Sequence, residues 1–173
     1  MAYNTIKLKK YLDIIEEITA TAVAITPGML LELTSSCTVQ AHSSAGGNVL
    51  HMFALEDELQ GNGIDDNYAA SAKIQVWVPV RGECVYAILA DGENVSCGDF
   101  LESNGAGLLQ KHNPDEFESD ESIAAIYTNQ IVGQAIECVD LSGSSGIESS
   151  GGEGLDSSVG TLGYNKRIKI RIK

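Results

Sequence analysis

Three histidines and four cysteines are the side chains of this chain best suited to proton transfer, metal ligation or nucleophilic attack. Their spacing gives them little to work with. His42 and His112 fall in polar, glycine-containing loops and His51 in an apolar run, with no HExxH or comparable pattern. They read as surface or packing residues. Cys37, Cys84, Cys97 and Cys138 form no CxxC pair, and each sits in or beside an apolar run, so buried free thiols are expected in place of a disulfide framework or a zinc site. Asp57, Glu58, Asp65 and Asp66 superficially suggest a calcium loop but miss its D-x-[DN]-x-[DN]-G order, which leaves them as solvated carboxylates. Gly61-Asn62-Gly63 and Gly105-Ala106-Gly107 lack the helix that a phosphate-binding loop must open, and read as turns. No catalytic residue, cofactor site or metal site is therefore expected.

The elements that position these residues are strands. The chain is rich in Gly, Ser and β-branched residues and poor in Pro and aromatics, a mixture that favours an all-β fold with many turns. At 173 residues it suits one domain with one core. The central stretch runs from Lys73 to Leu101. Ile74, Val76, Val78 and Val80 alternate with Gln75, Trp77 and Pro79, as in a half-buried strand. Cys84–Leu89 has too few polar residues for a surface strand and is expected to be covered on both faces. A third strand is expected over Val95–Leu101, so that the three form a meander. Trp77 is read either as core or as a subunit contact.

Before this stretch, Thr5–Lys9 alternates like an edge strand, whereas Leu8, Tyr11, Leu12 and Ile15 carry helical spacing. A strand-like arm leading into Ile14–Ala24 is the preferred reading. The unit Ile25-Thr26-Pro27-Gly28-Met29-Leu30-Leu31-Glu32 has a counterpart seventy residues later in Val95-Ser96-Cys97-Gly98-Asp99-Phe100-Leu101-Glu102. Gln40 and His42 then fall opposite Gln110 and His112, and Phe53–Leu55 opposite Ile123–Ala125. Two half-domains of related pattern follow, and with them a pseudo-symmetric barrel or sandwich. Glu56–Asn67 and Asn113–Ser122 read as acidic loops, and Ile131–Val139 as a strand. The expected organisation is an N-terminal arm over 1–13, a β-rich body over 14–141, a Ser/Gly-rich loop over 142–160 and a basic C-terminal strand over 161–173. In that last segment Ile168, Ile170 and Ile172 alternate with Lys169, Arg171 and Lys173, a pattern that calls for one covered face.

Charge is segregated. Eight of the 11 Lys and Arg lie at the two ends, while all 24 carboxylates fall between Asp13 and Asp156. With only Lys73, Arg81 and Lys111 among them, the body carries −21 and the ends +8. Such a body is repelled by phosphate backbones, which disfavours nucleic acid as a partner. The basic ends suit an acidic protein surface, whether the chain's own, a sister copy's or another partner's. No signal peptide, lipidation motif or membrane span is visible, and synthesis in the cytoplasm is expected.

Certain runs resemble the head decoration (cement) proteins of tailed bacteriophages. These are Ile25–Thr34, Phe53-Ala54-Leu55-Glu56, Gln60–Ile64, Val76-Trp77-Val78-Pro79 and Gly98–Gly105. The likeness spans about Ile14 to Val139 and rests on structural corners, with no catalytic signature. It implies a β-tulip or barrel-like fold, a homotrimer, and a seat on the outer surface of the virion where subunits of the major capsid protein meet. It also implies that an arm made of Thr5, Ile6, Lys7, Leu8, Lys9 and Lys10 lies along the capsid. Trp77 and the terminal residues Ile168, Lys169, Ile170, Arg171 and Ile172 then supply a subunit contact or a terminal strand. A tail or fibre component, a small ligand-binding barrel and an enzyme are the alternatives.

Overall fold

In the computed structural model, residues 15–21, 23–113, 129–142 and 166–173 are described. The expected arm with Thr5, Ile6, Lys7, Leu8, Lys9 and Lys10 lies outside them, as does the loop from 143 to 160. Alternation of apolar and polar residues decides which way each strand faces, and among the described residues it yields twelve short strands and one 3-10 turn at Glu58–Gln60. The all-β expectation is borne out, in its barrel-like form.

The strands form two units of the same plan. In the second, β6 (Cys84–Leu89), β8 (Phe100–Ser103), β9 (Leu109–Lys111), β10 (Gly133–Ala135) and β12 (Lys166–Ile172) close a barrel in the order β10-β12-β6-β9-β8. In the first, β4 (Phe53–Ala54), β5 (Lys73–Trp77) and β1 (Ile15–Thr19) pair in the order β1-β5-β4, beside the hairpin of β2 (Leu31–Leu33) and β3 (Val39–Ala41). Bridges Ala20↔Val39 and Leu30↔Phe53 join them, so the ring runs β4-β5-β1-β3-β2. Equivalent strands are thus β1 and β6, β2 and β8, β3 and β9, β4 and β10, β5 and β12.

The register confirms the duplication. Glu32↔Gln40 in one hairpin matches Glu102↔Gln110 in the other. The parallel contact Ala20↔Val39 matches Leu89↔Leu109. Even the hairpin turns agree, because the Thr34 hydroxyl accepts the amides of Ser36 and Thr38 where the Asn104 carboxamide accepts those of Ala106 and Leu108. The return strand departs from the expected alignment. Phe53 and Ala54 correspond to Gln134 and Ala135, since the amides of Ala54 and Ala135 bond the carbonyls of Met29 and Asp99. The second half has eleven more residues before that strand, and Ile123–Ala125 lies outside the described residues.

Several further expectations need correction. β5 and β6 do not pair, so Lys73–Leu101 is no meander; β5 closes the first unit and β6 the second. Pro79, which is buried and has no amide proton for a ladder, lies in the crossing segment. The run Val95–Leu101 is split into β7 (Asn94–Val95) and β8 by the Ser96–Asp99 turn. Ile131–Val139 is likewise split into β10 and β11 (Val139–Asp140), because the chain must leave β12 at Ile136 to pair Val139 with Val95. Cys84 and Tyr86 on β6 are exposed, so that strand is covered on one face only at its start. All four cysteines are exposed, because Cys37 and Cys97 sit in turns, Cys84 at an outward strand position and Cys138 at the bend before β11.

The interior is not one uninterrupted core. Ile25, Leu31, Val39, Met52, Ile74 and Val76 are among the residues of an apolar cluster inside the first unit. A larger cluster fills the second with Ala87, Leu89, Leu101, Leu109, Ile168 and Ile170, and it also takes in Leu30, Val49 and Phe53 from the first. Each buried isoleucine of β12 contributes about 1.5–3 kcal/mol. The shared cluster makes the two units one domain.

Candidate functional site

The duplication permits a comparison of equivalent surfaces. On the outside of the first unit, Leu30, Phe53, Trp77 and Ile15 lie side by side across four neighbouring strand positions. Leu30 and Phe53 are fully buried and Trp77 is half-buried, because these three pack in the apolar cluster of the second unit, while Ile15 at the end of the row is 51% exposed. The Trp77 Nε1 is shielded as well, without a hydrogen-bond partner among the described residues. Trp77 therefore packs within its own chain. The equivalent row on the second unit is Phe100, Gln134, Arg171 and Cys84. All four are exposed.

Beside that row, Tyr86 faces Lys169 across β6 and β12. Tyr86 is 49% and Phe100 44% exposed, large values for aromatic rings on a strand surface. The expected alternation of β12 is borne out: Ile168, Ile170 and Ile172 point inward and are buried, and Lys169 and Arg171 point outward. Lys169 meets Glu137 at 3.2 Å. At the edge of the face, Lys111 Nζ lies 2.8 Å from Asp99 Oδ2. That ammonium, with the amide of Ser96, holds the Asp99 carboxyl below its ordinary range. The face thus offers two aromatic rings, an amide, a thiol and two cations on a molecule that is otherwise strongly acidic.

The third outward cation of β12, Arg167, is covered. Its guanidinium donates to Asp65 Oδ1 at 2.8 Å, to the carbonyl of Pro27 at 2.9 Å and to the carbonyl of Ile64. The basic terminus and the acidic 56–67 loop therefore dock on each other within one chain.

His42 and His112 occupy equivalent places and are held by internal hydrogen bonds. His42 Nδ1 lies 2.9 Å from the Ser103 hydroxyl, and its Nε2 donates to the Asn48 carbonyl at 3.0 Å. Since a carbonyl only accepts, Nε2 carries a proton, and in the neutral ring Nδ1 accepts from Ser103. The serine hydroxyl is fully buried and directed at a ring held by a carbonyl, so this pair has no access to a substrate. His112 Nδ1 donates to Glu102 Oε2 at 2.5 Å, and Gln110 donates to the other carboxylate oxygen at 2.9 Å. In the first unit Gln40 and Ser43 donate to Glu32. Burial raises the Glu32 pKa, but the hydrogen bonds from Ser43 and Gln40 and the nearby His42 outweigh it and hold the carboxyl below its ordinary value. His51 is pushed down by burial, partly offset by the carbonyl of Ile131. Among the described residues, no group of three or more His, Cys, Asp or Glu is placed to hold a metal ion. None of their helices is long and apolar enough to cross a membrane.

The sequence singled out Lys169 and Arg171, took Cys84 for a buried thiol, and gave no sign of Tyr86, Phe100 and Gln134 as surface residues. Their signal lay in the repeat, where apolar Leu30, Phe53 and Ile15 face Phe100, Gln134 and Cys84, but β4 and β10 had to be aligned first.

No protein-family model matches the chain, and no curated protein sequence matches it. Among solved structures, the chain is similar to the N base of head fiber gp8.5 of bacteriophage phi29, at 12% identity and a TM-score of 0.46. The alignment covers 91% of this chain and 94% of that one.

Proposed function

We propose that the chain is a structural virion protein of a tailed bacteriophage, which attaches to the outside of the expanded capsid and bridges subunits of the major capsid protein as a homotrimer. The sequence resemblance over Ile14 to Val139 supports this reading. The observation that carries the docking role is the open outer row of the second unit, Phe100, Gln134, Arg171 and Cys84, whose counterparts on the first unit are covered at Leu30, Phe53 and, in part, Trp77. Aromatic rings and arginine are enriched at the centres of protein interfaces. Arg171 and Lys169 favour an acidic acceptor, and the rest of the acidic body, turned outward, keeps particles apart.

Stabilisation would come from number. Each copy adds a modest contact between neighbouring capsid subunits, and the contacts must break before the shell opens under the pressure of its DNA. The arm of residues 1–10 would add a second attachment. The test mixes the purified chain with expanded capsids lacking it, pellets the particles and follows their disruption by heat. Binding and a raised disruption temperature are expected, with Phe100→Ser/Arg171→Glu weakening binding at least tenfold and removal of residues 1–10 weakening it further. Failure of the intact chain to pellet with capsids sinks the reading; unchanged binding by the double variant moves the contact off this face.

A further inference from the structure

We propose that Cys97 and Cys138 form an oxidation site, a dithiol under reducing conditions that closes to an intramolecular disulfide in an oxidising medium. The two residues are 41 apart in sequence, yet the backbone amide of Cys97 donates to Sγ of Cys138 at 3.2 Å. One N–Cα bond of about 1.46 Å separates that amide from the Cα of Cys97, so Sγ of Cys138 lies within about 4.7 Å of it. A rotation about χ1 of Cys97 then brings the sulfurs together, with no large backbone shift. The backbone around them is already fixed by pairing. Val95 and Val139 are strand partners, and the amide of Gly98 bonds the carbonyl of Ala135. Both thiols are exposed, so an oxidant reaches them.

The repeat supplies an independent argument. The same junction in the first unit is tied by side chains, where Thr26 Oγ1 donates to Asn67 Oδ1 at 2.7 Å. Thr26 corresponds to Ser96, one residue before Cys97, and Asn67 corresponds to Cys138. In both units, therefore, side chains link the corner before the hairpin to the strand that follows the return. The second unit has two thiols available for that link. The cross-link would brace the corner that leads into Phe100 and the bend that follows Gln134.

With oxidised glutathione as oxidant the step balances. The thiolate of one cysteine attacks a glutathione sulfur, releasing one glutathione thiolate and leaving a mixed disulfide. The second cysteine, as thiolate, attacks the protein sulfur of that disulfide and expels the second glutathione thiolate. Two thiols of the protein are oxidised, two glutathione thiols form, and both protein protons end on the released glutathione thiolates.

The experiment equilibrates the purified full chain with oxidised glutathione, alkylates what stays free and maps the peptides without reduction. The expected result is a mass loss of two hydrogens, a peptide joining Cys97 to Cys138, and label on Cys37 and Cys84 alone. The oxidised chain should melt at a higher temperature than the reduced one. The double variant Cys97→Ser/Cys138→Ser should show no such shift. Label on all four cysteines, a cross-link through Cys37 or Cys84, or a mixed glutathione disulfide that persists would each overturn the proposal.

Discussion

Arg167 shows at the scale of one residue how a charge tolerates burial. Its side chain is only 5% exposed, and it is satisfied by two backbone carbonyls and by Asp65, which is itself 61% exposed. The partners are unequal, because water can replace Arg167 around Asp65 but cannot reach the covered carbonyl of Pro27. Arg167→Met should therefore cost about 2–4 kcal/mol, near the range for breaking a buried pair. Asp65→Asn should cost less than about 1 kcal/mol, as for an exposed pair. Urea unfolding measures both, and equal costs would show that Asp65 and not the carbonyls holds the guanidinium. The sequence placed this cation at a basic terminus facing an acidic body. It did not show which cation enters the fold, since Arg167, Lys169 and Arg171 share one strand parity and only the loop of the other unit covers the first.

At the scale of elements, the duplicated hairpins carry most of what could be read in advance. Glu32 with Gln40 and Glu102 with Gln110 keep one offset because each hairpin has the same length, and a turn of fixed length fixes register. Past the hairpins the offset changes, and alternation cannot signal an insertion; Gln134 was thus hidden behind Ile123. The hairpin turns also show where the units diverge. Gly107 has φ +76, and a Cβ there would come within 2.8 Å of Ala41 Cβ and 3.2 Å of the Leu30 carbonyl oxygen. Its equivalent, Cys37, has φ 58 and an exposed side chain. The second hairpin tip is pressed onto the first unit, whereas the first tip is free. Gly107→Ala combines a left-handed backbone, worth about 1–2 kcal/mol, with a clash of about 1–3 kcal/mol. It should destabilise the chain by about 2–5 kcal/mol in total. Cys37→Gly should change stability by less than about 1 kcal/mol, because relief of the left-handed strain opposes the greater freedom of glycine in the unfolded chain. Thermal melts of the two variants decide it, and a large loss for Cys37→Gly would place an unrecognised contact at the free tip.

The whole molecule behaves as one body only if the surface between its units is strong. Phe53 is the residue that tests this, because its strand belongs to the first unit while its side chain, 1% exposed, belongs to the apolar cluster of the second. Trp77 is the chain's one tryptophan and sits in the same row, so its fluorescence reports on this surface, while circular dichroism reports on the strands of both units. With a shared cluster, opening one unit exposes apolar area of the other, and intermediate states are costly. Urea transitions followed by fluorescence and by circular dichroism should therefore coincide in the native chain. Phe53→Ala should cost about 3–5 kcal/mol and, by emptying the middle of the shared surface, shift the fluorescence transition to lower urea than the dichroism transition. If the native chain already shows two separate midpoints, the units are joined more weakly than their packing implies. The proposed docking face on the second unit would then sit beside a hinge, and any partner bound there would have to order the two units before it could brace them.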